Sequence, residues 1–274
     1  MSKQNTEVMS QPNKELLARL QQNTPQEEGY TRVSLPRLGF FSQDQTEGKG
    51  KATVVTNEAG TFYLETKDGD KYVKNEIGKE IELIVVYSRK KLCYFDSATE
   101  EYTSSSLYDN DNDEVTLFKG GKIVIKGYPE DLRGMGQYQK VGDDGKLKSK
   151  LEVNRVLYVL YNNELHELTI RGSSMYAFST YAKSLLVTSV KTHITSTPEQ
   201  KGSIEWNKMQ FVSMGTLSDD ELMQVLNMQD EIKDGIAQEK AYFAKLSQRD
   251  NKPLQVTESI EDVVNQLNAP KEEF

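Results

Sequence analysis

From Tyr30 to Val212 the apolar and polar positions alternate in short runs, the period of half-buried strands, and each run ends in turn chemistry. The pattern predicts strands over Thr61 to Glu65, Ile81 to Tyr87, Leu92 to Phe95, Val115 to Phe118, Ile123 to Ile125, Val153 to Leu160, Leu165 to Ile170, Leu186 to Ile194 and Ser203 to Val212. Asp68-Gly69, Ser88 to Lys90, Gly120-Gly121, Asp144-Gly145 and Asn162-Asn163 supply the turns, and Asn162-Asn163 between two strong strands reads as a hairpin. One segment changes period: Met175, Phe178, Tyr181, Ala182 and Leu185 recur at helical spacing behind Ser173 or Ser174, either of which can cap the helix. After Met214 the period is helical again. Ser218 and Glu221 form a capping box, and Leu222, Val225, Leu226, Ile232, Ile236 and Phe243 make an apolar stripe. Beyond a polar break from Gln248 to Pro253, Ile260, Val263, Val264 and Leu267 share one face of a shorter helix.

Strands, one helix, then further strands within fewer than 200 residues predict a mainly β fold with C-terminal helices (α+β): an oligonucleotide/oligosaccharide-binding (OB)-like Greek-key barrel with elaborations, or alternatively a β-sandwich. The expected organisation is a flexible, Gln- and Asn-rich arm over 1–29 with an apolar patch at Leu16, Leu17 and Leu20, and a β-rich core over 30–214. A long amphipathic helix over 215–248 and an acidic tail over 249–274 follow.

Charge changes the picture only once it is divided along the chain. The formal net charge is -8, but residues 30–214 hold 25 basic and 25 acidic side chains, while residues 215–274 hold 6 and 13. The acidity belongs to the tail, and a neutral core can still present a basic groove. No apolar run reaches membrane-span length and the start lacks a signal-peptide pattern, so a cytoplasmic protein without membrane contact is expected. The single cysteine, Cys93, allows no internal disulfide and fits a reducing compartment.

Phosphate-binding glycine motifs, zinc-ligand spacings and nucleophile motifs are absent, so no enzyme activity, metal or cofactor is expected. Asp109 to Glu114 alternates carboxylates as a calcium loop does, but Glu114 stands where the turn glycine belongs and Gly120 where the closing Glu belongs. The string reads as an acidic loop blunting a strand edge.

Binding single strands requires cations to follow phosphates and flat rings on which bases stack. Three segments offer both. Tyr87 to Phe95 places Arg89, Lys90 and Lys91 on a turn flanked by Tyr87 and Tyr94, although a basic turn over core aromatics gives the same pattern. Lys119 to Lys150 carries 8 basic and 4 acidic residues, including Lys126 and Arg133, with Tyr138 and with Gly127, Gly134, Gly136, Gly142 and Gly145, and reads as a mobile loop able to close over a strand or as a plain solvated insertion. On Ser203 to Val212, alternation puts Trp206, Lys208 and Gln210 on one face, suited to stacking or to a cross-strand pair; Arg155 and Tyr161, sharing a face of a nearby strand, would extend it.

The terminal Pro270-Lys271-Glu272-Glu273-Phe274 resembles the acidic, aromatic-ended tip of bacterial and phage single-stranded DNA-binding proteins. The order of Tyr87 to Phe95, Arg155 to Tyr161, Glu164 to Leu168 and Gly172-Ser-Ser is similar in pattern to phage-encoded members. The resemblance implies an OB-type core and sequence-tolerant binding of single-stranded DNA in replication or recombination. It also implies that Glu272, Glu273 and Phe274 dock partner proteins or compete with DNA. The rival expectation is a structural or adaptor protein, for example a virion component, whose core and helices make protein contacts.

Overall fold

The computed structural model describes residues 35–47, 54–68, 71–142 and 144–250. Residues 34–232 form one compact unit; the other comprises 1–33 and 233–274, of which 233–250 continues a helix begun in the first. The expected arm over 1–29, the short helix around Ile260 to Leu267 and the tip Glu272, Glu273 and Phe274 lie outside the described residues.

The chain is mainly β, and strand β6 (Glu80–Asp96) organises it. Ile84 pairs with Leu160 of β12 (Glu152–Tyr161) and with Lys191 of β14 (Val190–Lys201), so β12 and β14 lie on opposite edges of β6. Cys93 likewise pairs with Glu152 and with Ser104 of β7 (Glu101–Ser105). The edge facing away from β12 is therefore shared by β14 at one end and β7 at the other, and the sheet forks there. One arm continues from β14 to β15 (Ile204–Thr216), and the other from β7 to β8 (Val115–Lys119) and β9 (Lys122–Gly127). Across β12 the order is β13 (Glu164–Ile170), β1 (Arg37–Phe40), β4 (Phe62–Asp68) and β5 (Lys71–Gly78). The sheet does not close on itself into a barrel. β1 runs parallel to β13 and occupies its free edge, while β15 meets the segment after β1 through Asn207 N–H donating to the Ser42 carbonyl at 2.6 Å. β2 (Gln45–Glu47) and β3 (Val54–Asn57) form a separate hairpin.

The expected hairpin at Ser88 to Lys90 is not formed, because β6 runs straight through it. Turn formers and cations are tolerated there because partners meet them: Leu107 O accepts from Arg89 Nη2 at 2.9 Å, Asp109 lies 3.3 Å from Arg89 Nε, and Asp111 lies 2.9 Å from Lys90 Nζ. The acidic string is thus the counter-charge of β6. Asp113 closes its own loop by accepting from Asp109 N and Asn110 N. Among the described residues no group of three or more His, Cys, Asp or Glu is arranged to hold a metal ion.

The expected Asn162-Asn163 hairpin forms, with both residues at positive φ (51° and 64°) as a type I′ turn requires. Its core-facing side chains Leu157, Val159, Leu168 and Ile170 are fully buried, each burial being worth roughly 1.5–3 kcal/mol. They pack with Phe178 and Tyr181 of α2 (Ser173–Ser184) and with Met209 and Phe211. At the edge of this core Gly39 leaves room for a ring: a Cβ there would sit 2.1 Å from Tyr63 Cζ, and Tyr63 in turn stacks on Phe41 at 4.3 Å.

Lys119 to Lys150 is not a plain loop. It builds the β8–β9 hairpin, the short helix α1 (Pro129–Gly134), a 3-10 turn at Gly136–Tyr138 and a second hairpin of β10 (Gln139–Val141) and β11 (Leu147–Ser149). Leu132, Tyr138 and Leu151 fasten it onto Leu92, Tyr108, Val115 and Leu117 as a second small core.

The capping box opens α3 (Asp219–Asp250) as expected: Glu221 Oε2 accepts from both Ser218 N–H and Oγ at 2.9 Å. Those bonds, with Lys191 at 2.9 Å, hold the Glu221 carboxyl down at about 2. Leu222, Val225 and Met228 seat the first turns against Ile84, Val86 and Leu160. No helix among the described residues is long and apolar enough to cross a membrane.

Candidate functional site

A cleft of about 430 Å³ lies where β13, the start of α2, β15 and the segment after β1 converge. Its geometry follows from strand alternation. Met209 and Phe211 of β15 face the core, so Trp206 and Lys208 face outward, as expected from the sequence. Glu199 stands directly opposite Trp206 on β14 and shares its face.

Trp206 is held rather than free. Its indole Nε1–H lies 3.0 Å from both Ser173 Oγ and Glu199 Oε2, and the other Glu199 oxygen pairs with Lys208 Nζ. The hydrogen bond from Lys208, then that from Ser173, lowers the Glu199 carboxyl below the usual carboxylate range. The sequence suggested that Ser173 or Ser174 caps α2. Neither does, since the cap position is Gly172 at positive φ (58°) without a side-chain bond. The two serines instead brace β15, Ser173 through Trp206 and Ser174 by accepting from Met209 N–H at 2.9 Å.

Arg171, which the sequence reading passed over, lines the same cleft and is exposed; it makes no hydrogen bond or ion pair with the described residues. Its position between the last residue of β13 and the glycine opening α2 is the signal that could have found it, because a cation at a strand end beside a helix start faces whatever enters the cleft. Glu152, also exposed, is the carboxylate among the lining residues.

The remaining expected residues divide by environment. Arg89 is 2% exposed and committed to Leu107 and Asp109, so it serves the fold. Tyr138 is buried in the second core. Arg155 and Tyr161 do share a face, but it is the inner one. Arg155 lies 5.6 Å over the Phe178 ring and donates to Ser88 Oγ, with burial lowering its pKa, and Tyr161 packs against the main core. Tyr87 donates to Asp109 Oδ1 at 3.4 Å, Lys90 is paired with Asp111, and Arg133 with Glu130 at 2.8 Å. Tyr94 packs on the second core under Lys150 Nζ at 5.9 Å, and Lys126 is half-buried on β9. Lys91 points to the outer sheet face, in register with Asn154. The structure therefore brings Trp206, Lys208 and the unforeseen Arg171 to one region and disperses most of the rest.

Compared with protein-family models, curated proteins and solved structures, the chain matches none. Function must then be argued from the site itself.

Proposed function

We propose that the protein is a non-enzymatic, sequence-tolerant binder of single-stranded DNA serving replication or recombination in the cytoplasm. The observation that carries this reading is the pairing of a tryptophan fixed by two hydrogen bonds with an exposed arginine in one cleft. A ring already held in place loses little freedom when a base stacks on it, and stacking contributes roughly 1–3 kcal/mol per base whatever the sequence. Arg171 supplies the charge for a phosphate, and Lys208 becomes a second cation when a phosphate displaces Glu199.

The OB-like part of the proposal rests on chain order. β6, β12 and β13 side by side, with β7 to β11 inserted after β6, then α2, then β14 returning to β6 and followed by β15, follow the pairing order expected of a five-stranded OB barrel. β1 pairs in parallel with β13 along the edge at which such a barrel would close, which supports reading the core as an OB-type arrangement held open by an added strand. The acidic tail is read as a modulator of access or a docking peptide.

One observation favours the adaptor reading. Ile123 and Val124 on the edge strand β9, and Val141 and Leu147 on the second hairpin, are 42–69% exposed, apolar side chains of the kind that protein contacts cover. Electrophoretic mobility shift at low salt separates the two: a DNA binder retards single-stranded oligonucleotide in preference to duplex, and an adaptor retards neither.

A further inference from the structure

The sheet face that Glu152 shares carries a pair of exposed rings. Directly paired residues of neighbouring strands project to the same face. Glu152, on the cleft wall, pairs with Cys93; two residues on, Phe95 shares the face of Cys93 and pairs with Tyr102 of β7. Phe95 is 57% and Tyr102 50% exposed, so two aromatic rings stand side by side in solvent, where burial against a core does not explain them. The neighbouring charges are mixed: Arg171 and Lys91 face this surface with Glu152, while Glu101 beside Tyr102 is neutralised by Lys119 at 2.6 Å. Arg171 on the far side of β12 is the exposed cation between the two aromatic positions. From β13 to β7 is three strand steps, about 14 Å. That is at most about four nucleotide steps at helical spacing, and fewer for an extended strand.

Resting on the single-strand reading above, we propose that Phe95 and Tyr102 form a second base-stacking platform, and that one DNA strand crosses β13, β12, β6 and β7 with a base at Trp206, a phosphate at Arg171 and a later base on the ring pair. The binding unit is then a short run of nucleotides and not a single base. The pair is legible in the sequence only after the turn at Ser97–Glu100 is placed, with Glu100 at positive φ (56°), because that turn sets Phe95 opposite Tyr102.

The test is fluorescence anisotropy with labelled dT2, dT4 and dT8 at low salt, on the full chain, its F95A/Y102A variant and its Y102F variant. The expected result is a loss in dT8 affinity of roughly 5- to 150-fold for F95A/Y102A, little change for dT2, and wild-type behaviour for Y102F, which keeps the ring. A less drastic F95L/Y102L variant, with circular dichroism matching wild type, should lose affinity in the same length-dependent way. Unchanged dT8 affinity in both double variants, or an equal loss at every length, overturns the platform while leaving binding at the Trp206 cleft standing. Failure of the wild-type chain to bind any of the three overturns both proposals.

Discussion

Replacing Arg89 by Met tests whether the most basic-looking stretch of the chain serves the fold or the ligand. The guanidinium is 2% exposed, donates to the Leu107 carbonyl at 2.9 Å and lies 3.3 Å from Asp109, whose side chain is 20% exposed. Met fills much of the same volume without donating. The Leu107 carbonyl then loses a buried donor, a cost of about 1–3 kcal/mol. Asp109 loses its cation, and breaking a fully buried pair would cost about 3–5 kcal/mol. The cost here is smaller, because Asp109 reaches water and keeps the Tyr87 hydroxyl at 3.4 Å. The extra apolar burial of Met offsets part of the remainder. The expected net loss is about 2–4 kcal/mol, read in urea denaturation as a midpoint lowered by about 1 M at unchanged slope. Affinity of the folded variant for single-stranded DNA should stay within about twofold of wild type, since a buried side chain reaches no phosphate. A stability change below about 1 kcal/mol combined with a loss of DNA affinity would refute the reasoning and return Arg89 to the ligand.

Three further outcomes follow from named contacts. Gly39→Ala places a methyl 2.1 Å from the Tyr63 ring, so thermal denaturation should show a loss of about 1–3 kcal/mol, the usual range for overpacking; no loss would mean the ring moves aside freely. The Glu221 carboxyl is depressed to about 2, so its contribution is present above the ordinary carboxylate range near pH 4.5 and is lost as pH falls through about 2. Wild type should therefore melt above Glu221→Gln at pH 6 and converge with it at pH 2, as followed by circular dichroism. Deleting residues 268–274, with Glu272, Glu273 and Phe274, should raise affinity for DNA in a filter-binding assay; unchanged affinity would remove the competitor role of the tail.

What the sequence allowed and what it hid differ in physical kind. Local signals were legible: the Asn162-Asn163 turn, the Ser218 and Glu221 box, and the outward alternation of Trp206 and Lys208 each depend on neighbours a few residues away. Non-local ones were not. Ser88-Arg89-Lys90 reads as a turn until Leu107, Asp109 and Asp111, some twenty residues on, supply the partners that keep it in a strand. Pro36 to Phe40 shows no strand pattern, yet the Pro36 carbonyl accepts from Glu167 N–H at 2.9 Å and β1 pairs in parallel with β13, which only the assembled sheet could reveal. Ser173 and Ser174 carry the chemistry of helix caps but brace β15, because Gly172 takes the cap position and the serines fall inside the first turn, where Trp206 and Met209 meet their hydroxyls. In the glycine-rich Lys119 to Lys150, Leu132 and Tyr138 are too widely spaced to announce a core that depends on Leu92 and Tyr108.

The central claim is that Trp206 and Arg171 meet a DNA strand in one cleft, and Trp206 is the only tryptophan in the chain. Its fluorescence during titration with oligo-dT, repeated at rising salt on wild type and Arg171→Ala, is the most direct measurement. The account predicts saturable quenching, affinity falling steeply with salt, and a salt slope lower by about 1 in the variant. An indole signal unmoved by oligo-dT at low salt would contradict it.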